Sequence, residues 1–139
     1  MDVRHSDIIN LEEKVKKLSY SKYLPTMKLL NVRSFVSQVI TFDFPVTAVI
    51  GTNGGGKSTI LGATALAYKD VKPGDFFPKS NIGDNSMADW RIEYDVLDRE
   101  VNRASVFPRN AHFTKAKWRR DKVAERDVVV GPIQRTVPA

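Results

Sequence analysis

The run Gly51-Thr52-Asn53-Gly54-Gly55-Gly56-Lys57-Ser58 fits the pattern G-x-x-x-x-G-K-[ST] without a departure, and the chemistry open to such a run is the binding of phosphate. Glycines let the backbone bend where a side chain would clash, so that successive N–H groups turn inward around an anion. Gly51, Gly54, Gly55 and Gly56, with Asn53 among them, are the residues placed to form that cradle. A helix that begins directly after the loop adds its N-terminal amides and the positive end of its dipole. Lys57 is positioned to reach the β- and γ-phosphates, which makes it a catalytic as well as a binding candidate. Ser58 offers a hydroxyl to Mg²⁺, an ion that needs near-octahedral oxygen ligands and takes some of them from the phosphates. Thr59 adds a further hydrogen bond to phosphate.

For this chemistry the loop must lie between a strand and a helix. Thr47-Ala48-Val49-Ile50 is a short apolar run leading into Gly51, as expected of a buried strand, often a parallel one. Ser58 to Tyr68 is rich in Ala, Leu and Ile without proline and predicts a helix that ends before the turn at Lys72-Pro73-Gly74. Gly62 inside it signals either close packing on the sheet or tolerance of a weak helix former. Upstream, Ile8, Leu11, Val15 and Leu18 recur at spacings of three and four, which predicts a short amphipathic helix over Asp7–Leu18 with Ser6 or Asp7 as N-cap. This helix either packs on the edge of its own domain or offers a surface to a partner. Pro25 is expected to stop it, and Met27 to Val32 reads as a first strand, with Val39 to Phe44 alternating weakly after it. Trp90, Ile92, Tyr94 and Val96 alternate with Arg91, Glu93 and Asp95, the clearest half-buried strand in the chain. Weaker β-like pieces at Val101–Phe107, Ala111–Trp118 and Val128–Val130 complete a small antiparallel meander.

At 139 residues the chain can bury one core but is short for a complete ATPase with such a loop. Hydrophobic residues make up 42% and charged residues 27%, ordinary for a soluble protein, and no apolar run approaches the ~20 residues of a membrane span. There is no cysteine, and the N-terminus lacks the plan of a secretory signal, so the expectation is a cytoplasmic protein without membrane association. A net charge of +6 permits polyanionic partners, DNA among them, without specifying one.

Two stretches carry a resemblance: Leu29-Leu30-Asn31-Val32-Arg33-Ser34-Phe35, and Val49-Ile50 through the glycine loop to Thr59-Ile60-Leu61. Together they resemble the N-terminal segment of ABC-type ATPases of the SMC, RecF and OLD-like group, and also large bacterial AAA-type ATPases found in DNA repair or anti-phage defence. The resemblance covers about residues 27–69. It implies an α/β fold: the N-terminal lobe of a P-loop NTPase, with a mixed sheet, a helix after the P-loop and an antiparallel β-meander. Residues 1–24 would be a helical segment ahead of a partial ATPase domain over 25–139. It implies ATP and Mg²⁺ as ligands, and a homodimer or larger assembly in the intact protein. It also makes Gln134, after Val128–Ile133, the candidate for the glutamine that contacts Mg²⁺ or the attacking water. Arg33 falls where some relatives place a phosphate-facing arginine; the competing reading is a surface arginine on an edge strand.

The departures bear on turnover. Hydrolysis in this group uses an apolar strand ending in Asp-Glu, the Walker B segment, together with a signature motif that completes the site across a dimer, and the sequence holds neither. Because positioning and charge stabilisation supply nearly all phosphoryl-transfer catalysis, this chain alone is expected to hydrolyse poorly. A nucleotide-binding or nucleic-acid-binding module without turnover is the alternative. For the latter, Lys115, Lys117, Arg119, Arg120 and Lys122 surround Trp118. The indole would either stack on a base or join the core. Asp84, Asp89, Glu93, Asp95 and Asp98 read as surface charge.

Overall fold

A computed structural model describes residues 4–52, 56–78, 87–115 and 117–131. The element order is α1 (His5–Lys16), β1 (Lys22–Val32), β2 (Phe35–Thr41), α2 (Lys57–Ala65), α3 (Pro73–Phe76), β3 (Arg91–Asp98), β4 (Phe107–Thr114) and β5 (Lys117–Arg120). The strands form one sheet in the order β2-β1-β3-β4-β5, and every pairing in it is antiparallel. A mixed sheet was expected. Among the described residues the parallel component is a single bridge between Tyr68 and Ala124.

The period-two segment folds as expected. Ile92, Tyr94 and Val96 are buried and join Met27 and Leu29 of β1 and Ala111 and Phe113 of β4 in the main core. α2 lies on that face. Its inward residues Thr59, Gly62, Ala63 and Leu66 repeat at spacings of three, one and three, the stripe that a helix presents to a sheet. The opposite face is covered at one end by α1, where Val15 packs with Tyr23 and Leu97. Of the expected stripe Val15 is the buried residue of α1, Ile8 and Leu11 are half-buried, and Leu18 packs on the same cluster from beyond the helix end. The helix begins at His5 with Arg4 as N-cap and no side-chain cap, not at Ser6 or Asp7.

Several expectations are corrected. Pro25 does not end α1, which stops at Lys16. It lies inside β1, where the register with β3 shifts between Tyr23 and Thr26, and such a bulge removes the need for the N–H that proline lacks. The Pro25 carbonyl still accepts from Phe42 N–H at 2.8 Å. Thr47–Ile50 is not a strand, and Ile50 is 91% exposed. Val128–Val130 is likewise irregular, with Val129 93% exposed. Both runs are apolar enough to pair, but the described residues bring no strand beside either. Val101–Val106 forms turns, and β4 starts only at Phe107. Asp98 is buried, its carboxylate accepting Glu100 N–H at 3.0 Å, so it is a turn former and not surface charge. Asp84 lies outside the described residues. No helix among them is long and apolar enough to cross a membrane.

Candidate functional site

The site is built on the start of α2. Gly56 precedes it with φ of 93°, left-handed, and a Cβ there would fall 2.7 Å from the Phe35 ring. Glycine is required at this position on both counts. The chain then turns directly into helix: the first intrahelical bond runs from Ile60 N–H to the Gly56 carbonyl at 3.0 Å. The amides of Lys57, Ser58 and Thr59 therefore precede any intrahelical acceptor, and no side chain caps this end. An uncapped helix start of this kind holds donors and partial positive charge for an anion.

The Lys57 ammonium donates to the Gly51 carbonyl at 2.7 Å, closing the two described ends of the loop on each other. Ser58 is exposed and lines one wall of a cleft of about 770 Å³, whose other walls include Thr47, Val49, Leu61 and Val129. Thr59 is 2% exposed and its hydroxyl accepts from Arg33 Nη1 at 2.9 Å. Gly51 and Thr52 are exposed. Asn53, Gly54, Gly55 and Gln134 lie outside the described residues. α2 spans Lys57–Ala65, shorter at its end than expected, and Gly62 packs on Phe76 of α3, where a Cβ would fall 2.7 Å away. Of the two readings of Gly62, close packing is the one the structure favours, and the side chain that an added Cβ would meet is Phe76 of α3.

Arg33 sits in the two-residue turn between β1 and β2 with φ of 51°. Besides Thr59 it reaches the Phe76 carbonyl at 3.3 Å, and its guanidinium lies over the rings of Phe77 at 5.0 Å and Trp90 at 5.9 Å. It is an exposed arginine, as the surface reading has it, but it lies in a turn and its guanidinium is held by these contacts. These two rings had no sequence signal, because Trp90 precedes β3, which pairs with β1, and Phe77 follows α3, so both reach Arg33 only through tertiary packing.

The basic cluster divides. Arg120 turns to the core side and donates to the Leu66 and Tyr68 carbonyls at 3.1 Å each, with burial lowering its pKa against the opposing effect of Tyr94. Trp118 joins Phe77, Trp90 and Phe113 at ring distances of 5.6, 6.3 and 5.9 Å. Its indole is half-buried against the core, with these rings as its neighbours, which favours the core reading over stacking on a base. Arg119 and Lys117 remain exposed. Register places Arg91 beside His112 and His112 beside Arg119 on the sheet face away from α2, where Arg91 is ion-paired with Glu93 at 3.4 Å.

Comparison with known proteins gives a family and a relative. The family described as AAA domain matches residues 26–126. The movement and silencing protein TGBp1 of Narcissus mosaic virus is 34% identical over 95 residues, 66% of this chain and 40% of the relative. The match thus spans about two fifths of the length of that curated relative.

Proposed function

The chain belongs to the AAA domain family, whose function is of the nucleotide-binding ATPase type, and on that premise we propose that it binds Mg²⁺-ATP as the N-terminal part of an ATPase of the SMC, RecF and OLD-like kind. One observation carries the reading: left-handed Gly56 feeds a helix start with no side-chain cap, Lys57 Nζ donates back to the Gly51 carbonyl, and Ser58, the next residue, is exposed. That donor set fits a triphosphate and its ion. Gly51, Asn53, Gly54, Gly55 and Gly56 would wrap the phosphates, Lys57 would neutralise the β- and γ-oxygens, and Ser58 would ligate Mg²⁺, with Thr59 adding a donor. The bound ion would supply charge neutralisation for phosphoryl transfer. Gln134 would orient water or Mg²⁺ in the intact protein, where a homodimer or larger assembly completes the site. Residues 1–24 would be an appended segment, helical over His5–Lys16 and running into the start of β1, and 25–139 the partial ATPase domain. DNA repair or anti-phage defence is the setting that the resemblance favours, in the cytoplasm.

Calorimetry of Mg²⁺-ATP on wild type and Lys57→Ala tests this. Saturable binding lost in the variant, with little phosphate released by wild type, is the expected result. Equal heats in the two proteins would remove the loop from consideration.

A second reading rests on Lys117 and Arg119 of β5, both exposed on the sheet face away from α2: a nucleic-acid backbone laid there. Duplex DNA affinity falling steeply with salt, and less steeply in Arg119→Ala, would support it. A salt-independent affinity would oppose it.

A further inference from the structure

We propose that β2 is an edge at which two copies of this chain pair, antiparallel, and join their five-stranded sheets. β2 ends the sheet on one side and β5 on the other, and the two edges are made differently. β5 carries Lys117, Arg119 and Arg120 within its four residues, and such charge keeps an edge strand from pairing with a second chain. β2, Phe35-Val36-Ser37-Gln38-Val39-Ile40-Thr41, holds no charge and no proline and keeps a single register with β1. Val36 to Val39 are exposed, Val36 at 74% and Val39 at 54%. Among the described residues no strand lies beyond β2, so the backbone groups on that side are open to a partner strand. The Gln38 side chain donates to the Val39 carbonyl at 3.1 Å, a local bond within the strand that pairing must accommodate.

The sequence of the edge selects a second copy as its partner. Laid antiparallel on its own copy with full overlap, β2 has Gln38 on the two-fold axis. Successive side chains alternate between faces, so Val36 lies beside the partner's Ile40 on the face of Gln38, and Ser37 beside the partner's Val39 on the other. The apolar pair is made twice, once on each side of the axis. At the axis two amides face each other, each able to donate and to accept. Past the strand ends the same register carries exposed Asp43 of each copy toward the partner's turn at Arg33, so opposite charges approach at both ends. Elsewhere a net charge of +6 opposes self-association, whereas along β2 no like charges meet. With β5 guarded by its cations, the contact is isologous and closes at two copies. One strand pair is a small interface, so the dimer is reversible.

Sedimentation equilibrium of the whole chain without nucleotide tests this, and its outcome is independent of the ATP-binding reading. Wild type is expected to show a monomer–dimer equilibrium with a dissociation constant of about 1–100 μM. Gln38→Lys sets two ammonium groups opposite each other and is expected to weaken the dimer about tenfold or more. Val129→Lys, at an exposed position of the cleft that no residue of β2 lines, should stay within about twofold of wild type. Far-ultraviolet circular dichroism checks folding of each variant; should Gln38→Lys not fold, Val36→Lys replaces it. The chain has no cysteine, so Gln38→Cys carries a single thiol. Under oxidation it should form a disulfide dimer, its Cβ atoms facing across the axis at about 4.5–5.5 Å, whereas Val36→Cys, facing Ile40, should do so far less. A wild type monomeric throughout, which would leave the edge to the strand of another chain or to none, would overturn the proposal. So would a dimer that Gln38→Lys leaves intact, equal cross-linking at positions 36 and 38, or growth beyond two copies.

Discussion

The ring of Phe35 occupies the space that a side chain at Gly56 would need, with Cε2 and Cζ each 2.7 Å from the position of an added Cβ. Phe35 is the first residue of β2 and Gly56 the last before α2, so the sheet's hairpin and the loop interlock through one missing methyl group. Gly56→Ala pays twice, for the left-handed φ of 93° and for the ring. The backbone part costs about 1–2 kcal/mol, and the rigid aromatic neighbour adds to it. Thermal unfolding should therefore show a clear loss of stability, and combining it with Phe35→Ala should recover only the steric share. Full recovery would mean that the backbone at 56 is not held left-handed.

Gly62 tests a different contact. In an exposed helix, alanine for glycine stabilises by about 1 kcal/mol. Here a Cβ would lie 2.7 Å from Cβ, 2.8 Å from Cγ and 2.9 Å from Cδ1 of Phe76, so α2 and α3 must separate. Gly62→Ala is expected to destabilise despite the helix preference. Phe76→Ala in that background removes the ring contacts but keeps the Cβ, and recovery should be partial. Denaturant midpoints of the four proteins in the cycle give the answer, and a Gly62→Ala protein more stable than wild type would show that the two helices are not in contact.

How much of this was legible in the sequence depends on what writes a local signal. The alternation from Trp90 to Val96 was legible because one face of β3 meets the core and the other meets solvent or charge. α1 was legible from its stripe at Ile8, Leu11, Val15 and Leu18, and the helix after the loop from its alanines and leucines. The β1–β2 turn was not, because Arg33 and Asn31 take positive φ where glycine would have announced it. Pro25 misled because a bulge lets proline sit in an interior strand. At the site, the local sequence indicated Lys57 and Ser58 at the start of a helix. It could not show that Arg33 lies between Thr59 and Trp90, a relation created by strand pairing.

Tyr94 links burial to pH. It is 3% exposed, its phenol donates to the Ala63 carbonyl in α2, and desolvation holds its pKa above the ordinary 10.0, with Arg120 opposing. The folded protein therefore keeps a proton that the unfolded chain begins to lose near that value. Stability tied to this proton is fully present below about pH 10 and is lost as pH rises above it. Tyr94→Phe should cost about 1 kcal/mol at neutral pH through the lost hydrogen bond and should flatten the alkaline decline. The flattening is partial, since burial also raises the Tyr23 pKa. Urea midpoints between about pH 8 and pH 11 measure it; parallel curves for the two proteins would place the phenol in solvent.

The two apolar runs that do not form strands make the sharpest contrast between pattern and placement. Ile50 and Val129 read as buried positions, yet they are 91% and 93% exposed beside the cleft that Val49 and Val128 also line. A side chain already in water has little hydrophobic free energy to lose. Ile50→Ser and Val129→Ser are thus expected to change stability by no more than about 0.5 kcal/mol, whereas the same change at buried Val96, 1% exposed, should cost several times as much, of the order of 2 kcal/mol or more. Thermal unfolding of the three variants side by side decides it. If Ile50→Ser were as costly as Val96→Ser, the segment entering the loop would be a packed strand in solution, and the cleft beside α2 would be filled by it.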